Sequence, residues 1–265
     1  MYILAIETTG KYGTAAVIGD DGCIYSASSE TEMNHLRDII SISDEAIRKA
    51  GISKQDLTHI AASKGPGSFT GIRIGVTTAR TLAQILGIPC IAVSSLEAMA
   101  ERVMDAACDA GASYVVPIIN ARRHQVYAGI WELIRSEDSA RCTLRPAGEE
   151  RQYMIEELLD ELKSRQQNDM QKDGVLTVYF TGDGIDAYDD IIHDALPKGS
   201  YFEAAEEIRY QHAENVAEAA YHKAECGRTV SYNELLPEYM RLAEAEQRLK
   251  AGTLSEKIKK AGGLL

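Results

Sequence analysis

The sequence predicts an α/β protein of two lobes, each built on a mixed β-sheet with helices on its faces. Three observations support this prediction. Residues 2–27 hold three short apolar runs divided by glycines, residues 59–104 alternate strand and helix patterns, and residues 114–226 repeat that order more weakly. A strand meander followed by βαβ crossovers forms a mixed sheet. With 265 residues, 45% of them apolar, the chain has ample material for packed cores.

The first half is predicted to open with an antiparallel meander of three strands, Tyr2–Ile6, Thr14–Ile18 and Cys23–Ala27. Apolar residues at helical spacing then predict a helix over Asn34–Ala50, which Gly51 ends. Two strand–helix pairs follow: the strand His59–Ser63 with a long helix to Leu86, and the strand Pro89–Val93 with a helix over Ser94–Met104.

The second half is predicted to contain strands at Tyr114–Ile119, Val126–Leu133, Arg141–Leu144 and Val175–Phe180, and helices at Met154–Lys163 and Gln211–Cys226. Asp109 and Gly111 break the pattern, so we divide the chain into an N-terminal lobe of residues 1–108 and a C-terminal lobe and tail of residues 109–265. Gln166–Gly174 is predicted to be a loop, and a helix is expected in the tail. Two copies of one lobe plan are typical of the actin, Hsp70 and sugar-kinase (ASKHA) fold.

A glycine-rich loop joins the strand His59–Ser63 to the long helix, and its residues are Gly65, Pro66, Gly67, Ser68, Phe69, Thr70 and Gly71. Glycine permits positive φ, and Ser68 or Thr70 can cap the helix that follows. A rigid structural turn and an anion cradle at the helix N-terminus both fit this composition. A Walker loop would need Lys and Ser/Thr where the chain has Ile72 and Arg73, so the match to known phosphate loops is poor.

The long helix carries a ridge of small residues at every fourth position, Gly71, Gly75, Ala79, Ala83 and Gly87. Glycine inside a helix costs about 1 kcal/mol relative to alanine, so a close contact must compensate. That contact is made either by a neighbouring helix of the same chain or by a helix of a partner protein. The sequence leaves both alternatives open.

The charge and cysteine content exclude several classes of protein. The formal net charge is −12 with a pI near 5.0, which argues against independent nucleic-acid binding through a basic surface. Five scattered cysteines without a Cys-x-x-Cys pair fit a reducing cytoplasm. No charged leader precedes the first strand and no apolar run reaches the ~18 residues of a spanning helix, so we expect no membrane association.

The motifs together resemble the TsaB family of tRNA threonylcarbamoyladenosine synthesis. The stretch Gly65–Gly75 (GPGSFTGIRIG) matches the family's central signature, and other matches follow in order along nearly the whole chain. They are Tyr2–Thr9 with Glu7 where Asp is commoner, His35 at the first helix, Asn120–Tyr127 with Asn120 in an Asp position, Gly182-Asp183-Gly184, and Pro237–Glu246.

This resemblance implies the ASKHA fold, a cytoplasmic location and a non-catalytic scaffold or activator subunit. Such a subunit would bind the larger relative TsaD, form a ternary complex with TsaE, and support transfer of a threonylcarbamoyl group to the adenosine 3′ of the tRNA anticodon. A homodimer is expected when TsaD is absent, and tRNA is expected to bind only through the complex. The candidate partner contacts are His35, Leu36, Ile39, Ile40, Ser43, Ile72, Gly75, Ala79, Ala83 and Leu86.

The expected fold also predicts a nucleotide site. In that fold two hairpins hold the phosphates, and a carboxylate near the first strand helps to hold a metal ion. The candidate residues are Glu7, Thr8, Thr9, Gly182, Asp183 and Gly184, and each short motif fits an ordinary turn equally well. We expect no cofactor of the chain's own, and ATP or ADP at most at the boundary with partner subunits.

The reactive residues favour no complete catalytic site. TsaD carries His-x-x-x-His on a helix, whereas no two histidines here are four residues apart, so we expect no metal site and disfavour a metalloprotease. Asn120, Arg122 and Arg123 form a polar-basic cluster that suits either an anion site or an inter-lobe salt bridge. The rival function is a free-standing ATP-dependent small-molecule kinase of the same fold, with Asp183 or Glu7 as its base.

Overall fold

The computed structural model describes residues 1–29, 35–135, 142–169 and 177–240. The first half consists of β1 (Tyr2–Glu7), β2 (Thr14–Gly19), β3 (Ile24–Ser28), α1 (His35–Lys49), a 3₁₀ turn (Lys54–Asp56), β4 (His59–Ser63), α2 (Phe69–Leu86), β5 (Cys90–Val93), α3 (Ser95–Arg102) and α4 (Met104–Asp109). The predicted elements of this half are therefore confirmed, and α3 is the last helix predicted; the 3₁₀ turn and α4 were not predicted. The helix predicted in the tail beyond residue 240 lies outside the described residues.

The first sheet has the strand order β3-β2-β1-β4-β5. Its first three strands form the predicted antiparallel meander, with Tyr2 opposite Gly19. β4 and β5 then join in parallel, with Ile3 of β1 beside His59 of β4. Because parallel neighbours need a crossover connection, α1 and α2 are the helices that make the two crossovers.

The second half repeats this plan. Its elements are β6 (Tyr114–Arg122), β7 (Gln125–Ala128), β8 (Trp131–Arg135), β9 (Cys142–Pro146), β10 (Arg151–Met154), α5 (Ile155–Asp169), β11 (Val178–Thr181), α6 (Gly184–Ala195), β12 (Tyr201–Glu203), α7 (Glu206–Arg209) and α8 (Ala213–Glu225). The main path of the second sheet is β10-β7-β6-β11-β12, and the β8–β9 pair branches from β6. Without that pair, the order is third, second, first, fourth, fifth, as in the first sheet. The predicted two-lobed ASKHA plan is confirmed.

Several predictions for the second half are corrected. The single strand predicted over Val126–Leu133 is two strands, because the chain leaves the sheet at Gly129, where an added Cβ would overlap the ring of Trp131. α5 continues to Asp169, so the start of the predicted loop at Gln166 is helical, and its remainder lies outside the described residues. β10, α6, β12 and α7 were not predicted. β10 and β12 have only four and three residues, too few for a periodic pattern.

The sheets are packed on both faces, and the two halves of the chain exchange helices. Alternate residues of β1 enter different cores: Leu4 and Ile6 pack with α1 and α2, whereas Ile3 and Ala5 pack with α8. Residues of α3 in turn pack against the second sheet. The boundary after residue 108 stays a prediction, but the halves on either side of it share their cores.

The described structure also contains a disulfide that the sequence analysis missed. Cys108 of α4 is bonded to Cys142 of β9, with their Cα atoms 6.3 Å apart and a separation of 34 positions in the chain. Such a separation carries no local signal, since only the fold brings the two residues together. None of the described helices is long and apolar enough to cross a membrane.

Candidate functional site: the glycine loop and the first two helices

The glycine loop lies directly on the end of β1. Ser68 is the N-cap of α2, its hydroxyl accepts a hydrogen bond from the N–H of Gly71 at 3.2 Å, and its own N–H donates to the carbonyl of Thr9 at 2.9 Å. Gly65 has φ of 114°, as the sequence predicted for this position. A Cβ added at Gly71 would lie 1.9 Å from the carbonyl oxygen of Thr8. The loop therefore brings α2 into backbone contact with β1.

The small-residue ridge of α2 serves the same packing. The hydroxyl of Thr8 donates to the carbonyl of Gly71 at 2.7 Å, and a Cβ at Gly75 would overlap that hydroxyl. Ala79 and Ala83 are fully buried in the core under α2. Of the two alternatives left open for the ridge, packing within the chain is therefore the one observed from Gly71 to Ala83, but the group that approaches Gly71 and Gly75 is Thr8 and not a neighbouring helix. Gly87 instead ends α2 with a left-handed C-cap.

The opposite side of α2 is exposed and lies next to α1. Phe69, Arg73, Thr77, Thr81 and Ile85 follow one another at spacings of four residues, and all are exposed. Ile85 is 75% exposed, and Ile40 on α1 is 52% exposed. The two helices contact each other and share one core beneath them, so their exposed sides form one surface. We refer to these six residues as the outer face.

The C-terminal segment packs against the start of this surface. The ring of Tyr239 lies 4.8 Å from the ring of Phe69, its hydroxyl accepts from Nε of Arg73 at 2.8 Å, and the Arg73 guanidinium lies 4.0 Å above the Phe69 ring. Lys64 forms an ion pair with Glu238. Sequence reasoning found the glycine loop and the tail motif separately, and only the structure shows that they are in contact.

The predicted first phosphate hairpin is buried and fully engaged with its own chain. Glu7, Thr8 and Thr9 are 1–3% exposed. The Glu7 carboxylate accepts from the N–H of Thr9, and the Thr9 hydroxyl lies 3.2 Å from the hydroxyl of Ser95, which lies 2.6 Å from that of Ser63. Burial raises the pKa of Glu7, although hydrogen bonds from Thr9 and Ser63 oppose the shift. The glycine loop packs directly on these residues, because a Cβ added at Gly67 would overlap Thr9 and one added at Gly71 would overlap Thr8.

The predicted second phosphate motif is not at a hairpin. Gly182, Asp183 and Gly184 join β11 to α6, so they correspond in the repeated plan to the glycine loop after β4. A Cβ at Gly182 would overlap the carbonyl of Ile118, and Oδ1 of Asp183 accepts from the N–H of Asn120 at 2.9 Å. Burial raises the pKa of Asp183. The motif follows a strand of the second lobe, as predicted, whereas the hairpin that matches β1–β2 in the repeated plan is the β6–β7 turn.

Comparison with known proteins gives the family. The family model described as "TsaD: tRNA N6-adenosine threonylcarbamoyltransferase" matches residues 28–258. The "tRNA threonylcarbamoyladenosine biosynthesis protein TsaB" of Bacillus subtilis is 31% identical over 250 residues, which cover 94% of this chain and 97% of that protein. The chain belongs to the TsaB family.

Two further comparisons relate the TsaB family to known folds and to the transferase. The solved structure of "YeaZ from Pseudomonas aeruginosa" matches 90% of this chain and 99% of its own, with a TM-score of 0.68 and 24% identity, which shows a shared fold. The "tRNA N6-adenosine threonylcarbamoyltransferase" of Geotalea uraniireducens is 30% identical over 113 residues, 37% of this chain and 33% of that protein. Part of the TsaB chain is thus similar to part of the transferase.

The structure shows which of the predicted partner contacts on the TsaB-type helices face the chain's own core. Buried in the chain's own core are Ile39, Ser43, Ile72, Gly75, Ala79 and Ala83, and Leu86 packs partly against that core. Of the predicted contacts with described side chains, Ile40 is the exposed one. His35 and Leu36 begin α1, and their side chains lie outside the part described. The core-facing residues were chosen because helical periodicity identifies two faces without telling which one meets the sheet.

Among the described residues, no group of three or more His, Cys, Asp and Glu side chains converges into a metal site. Two of the histidines flank or lie in α8 without converging: His222 near its end is exposed, and His212 precedes the helix as its N-cap.

Proposed function

We propose that the chain is a scaffold subunit that binds TsaD through the outer face of α1 and α2 and supports transfer of the threonylcarbamoyl group to the adenosine 3′ of the anticodon. Membership of the TsaB family supports the role in threonylcarbamoyladenosine biosynthesis. The observation that carries the proposed binding is the outer face itself, where Ile40 and Ile85 expose apolar side chains on two adjoining helices. Apolar anchors rimmed by threonines and arginine are suited to a helix–helix interface.

The partner that we propose for the outer face is a lobe related to the one that carries it. Part of this chain is similar to a transferase of the TsaD family, so the partner is expected to carry two equivalent helices on its first sheet. Two such helix pairs can pack into a four-helix bundle. The same surface can bind a second copy of itself, and we propose a two-fold homodimer when TsaD is absent.

The proposed role has no catalytic step on this chain. Glu7, the carboxylate that a kinase of this fold would need, is 1% exposed, and the threonines beside it bond to their own chain. These contacts support the scaffold over the small-molecule kinase. As further parts of the proposal, the chain is cytoplasmic, TsaE completes a ternary complex, tRNA binds only to the assembly, and ATP or ADP binds at most at a subunit boundary.

Substitution of the outer face tests the proposal. We expect Ile40→Asp and Ile85→Asp each to weaken association with TsaD by about tenfold to a hundredfold, because a desolvated interface charge costs about 1.4 kcal/mol or more. Met154→Asp is the matched control, since Met154 is an exposed apolar residue of the second lobe. Affinity for purified TsaD is measured by surface plasmon resonance, after thermal unfolding has shown that all three variants are folded.

Equal affinity of the outer-face variants and the control would refute the proposed interface. ATP hydrolysis by the purified chain alone is measured alongside. Turnover without any partner would favour the kinase, whereas the scaffold predicts none above a buffer blank. The amount of threonylcarbamoyladenosine in tRNA from cells that carry each variant should fall in the same order as the TsaD affinity.

A further inference from the structure

The β6–β7 turn has a backbone conformation that its residues do not favour. Arg122, Arg123 and His124 have φ of 63°, 56° and 61°, and all three are exposed. A residue other than glycine seldom adopts positive φ, and three in succession require a surrounding structure that imposes the conformation. Such conformations are concentrated at functional sites.

The turn is fixed by three elements of the second lobe. Oδ1 of Asn120 accepts from the N–H of Arg122 at 2.8 Å, and the N–H of Ile155, at the start of α5, donates to the carbonyl of His124 at 2.9 Å. From α6, the hydroxyl of Tyr188 donates to the carbonyl of Gln125 at 3.3 Å. Because these bonds hold the backbone on both sides, the positions of the two arginines are set by the fold.

The arginines at this tip are available to a ligand. Neither guanidinium forms an ion pair or hydrogen bond with the described part of the chain, whereas Arg145 and Arg151 of the same lobe pair with Glu132 and Glu157. The carboxylate of Glu156 lies 3.3 Å from Nδ1 of the neighbouring His124. Two unpaired arginines side by side on a chain of net charge −12 form a local cationic site in an acidic protein.

We infer that the tip, Arg122 with Arg123, contacts the phosphate backbone of the tRNA when the chain is assembled with TsaD. This inference rests on the proposed function. Guanidinium groups bind phosphate oxygens strongly, and phosphate contacts position an RNA without reading its sequence. Free nucleotide phosphates have the same chemistry, but gripping them from both lobes needs the first hairpin, and Thr8 and Thr9 of that hairpin are buried beneath the glycine loop.

The inference predicts how the complex responds to salt. The variant is Arg122→Gln with Arg123→Gln, and the control is Arg145→Gln with Arg228→Gln, which removes the same charge from other exposed positions. Affinity for an unmodified tRNA transcript is measured by fluorescence anisotropy from 50 to 300 mM KCl. We expect the tip variant to weaken binding about tenfold near 150 mM and to reduce the slope of log Kd against log salt by about 1.5, since each lost phosphate contact removes about 0.7–0.9.

Separate measurements of TsaD binding and ATP binding, together with a double lysine variant, distinguish the possible outcomes. Binding to TsaD is measured first without RNA, and failure of the wild-type chain at that stage refutes the proposed function itself. Unchanged TsaD binding with weakened tRNA binding supports the tip contact, and Arg122→Lys with Arg123→Lys should restore most of the affinity. Equal affinity and salt slope in tip and control variants would overturn the inference, as would loss of TsaD binding, or loss of ATP binding with tRNA binding intact.

Discussion

Replacement of Gly71 by alanine tests whether the glycine loop is a structural device. Real Cβ atoms essentially never come within 3.0 Å of another heavy atom, and here the added atom would lie 1.9 Å from the carbonyl oxygen of Thr8. The start of α2 and the end of β1 must therefore separate by about 1 Å. This separation breaks the hydrogen bond from the Thr8 hydroxyl to Gly71 and the one from the Ser68 N–H to Thr9.

The cost can be worked out from these contacts. Two lost hydrogen bonds cost about 1 kcal/mol each, and the displacement of packed groups costs about 1–3 kcal/mol. The higher helix propensity of alanine returns about 1 kcal/mol. We therefore expect Gly71→Ala to lower the free energy of unfolding by about 3 kcal/mol. For a chain of this size, that corresponds to a fall in Tm of about 6–12 °C.

The assay is urea unfolding followed by circular dichroism, with Gly148→Ala as the control. A Cβ at Gly148 meets only the end of the Arg165 side chain at 3.7 Å, so the control should change stability by less than about 0.5 kcal/mol. Equal stability of the two variants would refute the conclusion that α2 is held in backbone contact with β1. A bulky residue at Gly75 would likewise disturb the fold, so it would not report on partner binding.

Three further predictions concern groups buried by the fold. Because burial raises the pKa of Glu7, the wild-type chain loses stability as the pH rises from about 4.5 through that raised pKa; Glu7→Gln should gain relative stability over this range in thermal melts at several pH values. Cys108→Ser should cost about 3 kcal/mol in oxidising buffer and little in dithiothreitol, and an equal cost in both would contradict a disulfide contribution. Leu235→Ala should cost about 2–5 kcal/mol, whereas its exposed neighbour Leu236→Ala should have little effect in the same urea titration.

The sheets could be predicted from sequence wherever apolar periodicity was long or glycines marked the turns. The strand His59–Ser63 was predicted to the residue, and the meander before it to within one or two residues at each end. Short strands such as β12 have three residues and no buried positions, so their existence depends on the parallel neighbour β11. The Cys108–Cys142 bond depends in the same way on contacts between residues distant in the chain.

The candidate site was predictable in its parts and not in its orientation. Gly71 and Gly75 indicated a close approach to α2, but the group approached is Thr8, from a strand 60 residues earlier. Helical spacing separated Ile39 from Ile40 without showing which of them faces the core. The left-handed turn at Arg122 had no sequence signal, since its conformation is imposed by α5 and α6 and not by glycine.

The two halves share one sheet topology but expose different parts of it, and the glycine loop accounts for the difference. In the first half, contact between α2 and Thr8 closes the hairpin and at the same time fixes the helix that carries the outer face. Opening that hairpin to a phosphate would require α2 to move away, and with it Arg73 and Ile85. A rigid binding surface and an open phosphate hairpin are therefore alternatives in this half. In the second half, the glycine turn at Gly182 packs against the carbonyl of Ile118 instead of against the hairpin. The tip of the β6–β7 turn at Arg123 is therefore exposed.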